Sequence, residues 1–338
     1  MKKKTFQLAF LLFLVVATFL IVRQQQTMPY QKNSGFVFGT VYNISYQYDR
    51  NLQTDIEAVL QRVDDELSMF NKRSTVSRLN SGRNHKLSPM FLEVFKLSSQ
   101  VFNDTRGAFD PTVAPLVNAW GFGFKNEQLP TDRQVDSLLL LVGMQKVAYD
   151  AKNQRLTMER PGIMLDFSAI AKGYGVDCVA RLMRDLDIRN YMIEIGGEVI
   201  VHGISPKREP WRIGVTKPVE DDSLASGELQ AVLSITDRAM ATSGNYRNFY
   251  YRGGRKYAHT IDPHTGRPVQ HSLLSATVLA RDCATADAYA TAFMVMGIDK
   301  ARELLDRHSG LQAYFIYTDA QGRLATWCSP SLKEKIQQ

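Results

Sequence analysis

The sequence predicts an α+β fold of mixed sheets with flanking helices, preceded by an N-terminal membrane-anchor helix. Three observations predict it. Helical and strand-like stretches mix along residues 31–338 without the regular strand–helix–strand repeat of a doubly wound sheet. Apolar residues make up 44% of the 338-residue chain, enough to build a core. Charge is nearly balanced outside the N-terminus. Of 41 Lys and Arg, four (Lys2, Lys3, Lys4 and Arg23) lie in residues 1–30, which hold no acid, so the body carries 37 basic against 34 acidic residues. That balance excludes a strongly basic nucleic-acid binder.

The chain divides into an anchor and linker, 1–30, and one domain, 31–338. Lys2 to Lys4 precede an apolar run from Phe6 to Val22, interrupted only by Gln7 and Thr18. At about 17 residues it is just long enough to span a bilayer. No small-x-small cleavage site follows, and no Cys near the run offers lipid attachment, so the segment reads as an uncleaved signal-anchor, with a cleaved export signal as the alternative. The lysines place the N-terminus in the cytoplasm and the body on the extracytoplasmic, periplasmic side of a bacterial inner membrane.

Gln24 to Lys32 reads as a linker. Phe36 to Tyr46 alternates like a strand. Thr54-Asp55-Ile56-Glu57 has the form of a capping box before a helix with Ile56, Val59, Leu60, Val63 and Leu67 on one face. Ser88-Pro89 opens a second helix, with Gly107 just beyond its end. Thr131 to Gln134 is another capping box. A strand-like stretch ends at Leu165, and a helix is expected from about Ala169 to Leu186. Tyr191–Ile195 and Val199–Val201 read as strands around Gly196-Gly197, and Gly253-Gly254 as a hairpin turn. Leu274–Ala280 is a strand, Thr285–Gly297 an apolar helix, Ala301–His308 helical, and Ala313–Tyr317 a strand before a turn at Asp319–Gly322. Cys178, Cys283 and Cys328 lack zinc-ligand spacing and read as buried thiols.

Four clusters carry more polar residues and glycines than packing requires: Gly107–Thr112 leading to Trp120–Gly123, Leu165–Gly173, Ala241–Arg247 running on to His259–Gly266, and Ala286–Thr291. Asp287 and Thr291 lie four apart, on one face of an otherwise apolar helix. Their oxygens suit a hard cation such as Mg²⁺, although the helix dipole alone would also favour an acid there. The second cluster opens a helix whose amides favour an anion, with Lys172 adding charge; an ordinary capped helix with a solvated lysine has the same pattern. His259 has the chemistry of a general base, and a lone structural histidine reads alike.

In order and spacing together, these clusters resemble the FAD:protein FMN transferase family, also called the ApbE family and long labelled thiamine biosynthesis lipoproteins. The carriers are Gly107-Ala108-Phe109-Asp110, Asp166 through Lys172-Gly173-Tyr174, Ile195-Gly196-Gly197-Glu198, Thr242 to Arg247, His259 to Gly266, and Ala286-Asp287-Ala288 with Thr291. The likeness runs from about Gly39 to the region of Trp327. It implies an ApbE-like domain that binds FAD and Mg²⁺, cleaves the FAD pyrophosphate, transfers FMN to a Thr or Ser hydroxyl of another protein and releases AMP. The implied acceptors are subunits of membrane redox complexes exposed outside the cytoplasm. Flavin contacts are implied at Phe38, Phe70, Ala108, Phe109, Asp110, Asp166, Lys172 and Ile261. Metal ligands are implied at the Ala169 carbonyl and the Asp287 and Thr291 side chains, and the general base at His259. The sequence departs from the family in having Phe38 where Met is common, Phe70 where Tyr is common, and Ala290 where some members carry a further acid. Two other activities share these residues: a Mg²⁺-dependent FAD pyrophosphatase and a non-catalytic flavin carrier.

Overall fold

A computed structural model of the chain describes residues 6–8, 10–18, 28–83, 86–123, 129–218, 228–245, 249–252 and 255–337. Its main element is an eight-stranded sheet in which every neighbouring pair is antiparallel: β1 (Tyr30–Val37), β2 (Thr40–Gln47), β3 (Tyr191–Ile195), β4 (Glu198–His202), β5 (Arg238–Gly244), β6 (Leu273–Ala280), β7 (Gln312–Thr318) and β8 (Leu324–Cys328). Spatial order follows chain order throughout. The expected α+β class therefore holds: helices enter as insertions between antiparallel neighbours, not as crossovers between parallel ones.

One face of the sheet packs on the helices α1 (Gln53–Leu67), α2 (Pro89–Asp104), α3 (Ala171–Asp185) and α4 (Cys283–Met296). The other is partly covered by a small sheet of Trp211–Thr216, Leu229–Ile235 and Ile336–Gln337. Period-two alternation assigns the faces. On β4, Val199 and Val201 join the core under the small sheet, while Ile200 joins the helical core. Glu198 is in register with Ile200 and therefore points among the helices despite its charge.

Local chemistry explains most boundaries. Ser88 Oγ accepts from Phe91 N–H at 3.1 Å, with Pro89 in the first turn. Thr131 and Gln134 form the expected reciprocal cap. The Thr54 box is not used: α1 starts at Gln53, whose N–H donates to Asn51 Oδ1 at 2.8 Å. The strand expected over Phe36–Tyr46 is a hairpin, folded at Phe38 (φ 51°) and Gly39 (φ 76°), and Tyr30–Lys32 of the expected linker belong to β1. Leu165 lies in no strand. The Asn80 side chain takes a strand's place, accepting from Leu165 N–H and donating to Leu165 C=O, both at 2.8 Å. The hairpin of Phe249–Arg252 with Arg255–Ala258 is present; Gly253-Gly254, Tyr246 and Arg247 lie outside the described residues.

Residues 6–8 and 10–18 are helical; residue 9 and residues 19–22 of the expected anchor lie outside the described residues. Among the described residues, no helix is long and apolar enough to cross a membrane.

Candidate active site

The insertions between strands meet over one cavity of about 880 Å³. The first cluster contributes Ala108, Phe109 and Asp110; the start of α3 contributes Asp166, Ala169 and Lys172. The end of β5 contributes Thr242, Ser243 and Gly244, the hairpin segment His259, Thr260 and Ile261, and α4 Asp287 and Thr291. Ten of the twelve residues singled out in the sequence therefore line a single space. Phe38 and Phe70 do not line it. Phe38, at the β1–β2 turn, lies against Gly175 of α3, and Phe70 is exposed.

The helix pair α3–α4 sets the polar centre. Gly173 lies so close to α4 that a Cβ there would sit 2.7 Å from the Cys283 carbonyl carbon and 2.9 Å from Ala284 Cα. This contact lets Gly173 N–H donate to Asp287 Oδ2 at 3.0 Å. Gly173 stands in the first turn of α3, where N–H groups have no acceptor within the helix, and Asp287 supplies one. From α3, Asp177 also accepts the N–H groups of Cys283 and Ala284, both at 2.8 Å, fixing the start of α4. Gly173→Ala should push the helices apart, cost about 1–3 kcal/mol in chemical denaturation, and reduce activity by displacing Asp287.

Lys172 lies between two buried acids, with Nζ 2.8 Å from Glu198 Oε1 and 4.0 Å from Asp287 Oδ1. Burial alone would lower the Lys172 pKa, but the two carboxylates outweigh it and raise it. Burial pushes both Glu198 and Asp287 upward, with Lys172 opposing the shift in each. Among the described residues, Glu198 Oε2 is buried without a hydrogen-bond partner. Across the cavity, Ser243 Oγ and Thr291 Oγ1 are 3.2 Å apart.

His259 follows the strand Arg255–Ala258 and meets the Phe122 ring edge-on, with centroids 6.4 Å apart. Its neighbour Thr260 is anchored twice: its hydroxyl donates to Asn245 Oδ1 at 2.6 Å, and its carbonyl accepts from Val269 N–H at 3.0 Å. The first and second clusters are joined where Asp166 N–H donates to the Pro111 carbonyl at 2.7 Å. Burial raises the Asp166 pKa, while its Oδ1 accepts from the Ser168 hydroxyl and N–H.

Asp110 is buried, and its Oδ1 accepts from Thr112 N–H at 2.8 Å and Thr112 Oγ–H at 2.6 Å. Burial pushes its pKa up from 3.8 to about 6. The native state then holds this proton more tightly than the unfolded chain, so this group's stability contribution falls as pH rises from about 4 to about 6. Asp110→Asn keeps an acceptor oxygen and cannot ionise. It should melt above the parent protein at pH 8, by an amount worth up to about 3 kcal/mol, with no such advantage below pH 4.

Asp177 and the charged role of Glu198 have no place among the site residues read from the sequence, which includes Ser243 and Asn245 only as members of the third cluster. Glu198 had a sequence signal, an acid directly after Gly196-Gly197 inside a strand. Asp177 reads as an ordinary helical acid until α4 is placed beside it.

A family profile described as the ApbE family matches residues 38–315. The FAD:protein FMN transferase of Vibrio cholerae is 37% identical over 297 residues, covering 85% of this chain and 87% of that protein. That of Haemophilus influenzae is 36% identical over 301 residues, covering 85% and 86%. The solved structure of the flavin transferase ApbE from Vibrio cholerae superposes with a TM-score of 0.81 at 35% identity, covering 91% of this chain and 99% of that one.

Proposed function

The chain belongs to the ApbE family, and on that premise we propose that its cavity uses a divalent cation, Mg²⁺, to transfer FMN from FAD to a Thr or Ser hydroxyl of an acceptor protein, releasing AMP. The chain is a transferase, with FAD as flavin donor and a protein as acceptor. The observation that carries the finer reading is the convergence of Lys172, Asp287, Thr291, Ala169 and His259 on one cavity of about 880 Å³. That is within the upper range of small-molecule sites, as a dinucleotide requires.

The donor set fits a hard cation. It consists of the Asp287 carboxylate, the Thr291 hydroxyl and the carbonyl of Ala169 just ahead of α3, all oxygen. Among the described residues, no group of three or more His, Cys, Asp and Glu is arranged to hold a metal. A site with a single acid suits an ion that shares its coordination with substrate phosphates. When bound, such an ion supplies charge neutralisation at the diphosphate.

The chain's own groups do the rest. Lys172 places a positive charge beside the phosphates. Ala108, Phe109 and Ile261 offer apolar surface for the flavin, and Asp110 and Asp166 offer polar contacts. His259 takes the proton of the acceptor hydroxyl as that oxygen attacks the FMN phosphorus and the bond to the AMP oxygen breaks. The run Phe6–Val22 anchors the enzyme in the inner membrane with its domain on the periplasmic side, where subunits of membrane redox complexes present their acceptor residues.

Incubating the protein with FAD and Mg²⁺, with and without an acceptor domain, tests this reading. The expected result is an acceptor heavier by one FMN, with AMP released in equal amount. AMP and free FMN formed equally well without acceptor would establish hydrolysis instead, and retained FAD with no AMP would establish a carrier.

A further inference from the structure

We propose that Glu198 is a positioning residue that holds Lys172 off Asp287 and thereby keeps the Asp287 carboxylate available to a cation. The inference rests on the cation reading above and concerns a residue to which that reading gives no task.

Glu198 is the buried acid of a strand whose inward neighbours are apolar, and only 2% of its surface is exposed. A carboxylate in such a place is expensive unless it is paired. Its Oε1 takes the Lys172 ammonium at 2.8 Å, while its Oε2 has no partner among the described residues. The same ammonium lies 4.0 Å from Asp287 Oδ1, too far for a hydrogen bond and near enough to become one with a small side-chain rotation. Lys172 thus has two carboxylates in reach and is bonded to Glu198, the one to which the cation reading gives no task.

The arrangement decides what Asp287 can do. Its Oδ2 already accepts from Gly173 N–H. If Lys172 closed on Oδ1, both oxygens would be occupied by protein donors, and a cation would have to displace an ammonium. Glu198 prevents this by outbidding Asp287 for the lysine.

A double-mutant cycle with Mn²⁺ as the probe, titrated by electron paramagnetic resonance without flavin, isolates this role. E198Q keeps the volume and an acceptor oxygen but removes the charge, and K172M keeps the aliphatic stem. E198Q alone should weaken Mn²⁺ binding at least tenfold. In the K172M background the same replacement should change binding less than about threefold, because no ammonium remains to invade the site. Equal weakening in both backgrounds would overturn the proposal by making Glu198 a direct contributor to the cation, and unchanged binding in E198Q would overturn it outright.

A crystal structure of metal-free E198Q gives a readout independent of the metal. Lys172 Nζ should lie within hydrogen-bond distance of Asp287; a lysine that stays about 4 Å away would contradict the proposal. D287N separates this inference from the reading beneath it. If D287N binds Mn²⁺ as tightly as the parent protein, the cation site itself is misplaced, whereas the lysine position in E198Q still reports on Glu198.

Discussion

Asp287→Asn should reduce FAD-dependent transfer by about 10²–10³-fold or more, the loss expected when several kcal/mol of charge stabilisation at a diphosphate are removed. The replacement is chosen so that the fold survives. An asparagine carbonyl still accepts from Gly173 N–H, the bond that holds α3 to α4 at 3.0 Å in the parent protein. It also removes a buried charge, so thermal stability should hold or rise, and the defect is then assignable to the site. Chelation of divalent ions should reproduce the loss in the parent protein. Adding Mg²⁺ back should restore the parent protein and leave D287N inactive; the check is AMP release by chromatography. Full activity of D287N, or of the parent protein under chelation, would contradict a metal role for this helix.

His259→Ala should lower transfer by about 10²–10⁴-fold, the usual contribution of a positioned general base, with FAD affinity nearly unchanged. The split follows from the geometry. His259 lines the same cavity as the proposed flavin contacts, of which only Ile261 shares its segment, and that segment is held by the Thr260–Asn245 and Thr260–Val269 bonds. Removing the imidazole therefore leaves Ala108, Phe109, Asp110 and Lys172 where they are. Flavin fluorescence titration measures the binding half and acceptor mass the transfer half. Unimpaired transfer would remove His259 from the chemistry.

The antiparallel neighbours and their sequential order were only partly legible in the sequence. The strands of β3, β4, β6 and β7 announced themselves by β-branched alternation, as did the helices with Ser88 and Thr131 caps. The small sheet did not: the apolar residues of Trp211–Thr216 and Leu229–Ile235 acquire meaning only against Val199, Val201 and Met240 from distant strands. Leu165 misled because its extended backbone is satisfied by a side chain 85 positions away, and no local pattern encodes that. In the site, residues with conspicuous chemistry were visible one by one. What the sequence alone could not supply was their convergence. Gly173 reads as a helix-weakening residue until Cys283 is seen against it, and Lys172 as a solvated charge until Glu198 and Asp287 flank it.

The central claim is that the α4 acid and alcohol hold a cation against the diphosphate of FAD. A crystal of the protein soaked with FAD and Mn²⁺, with data collected at the manganese absorption edge, tests it most directly. The account predicts one anomalous peak bonded to Asp287, Thr291 and the Ala169 carbonyl, in contact with a phosphate oxygen of FAD and with the flavin against Phe109 and Ile261. A diphosphate bound elsewhere, or a peak that touches neither Asp287 nor Thr291, would contradict it.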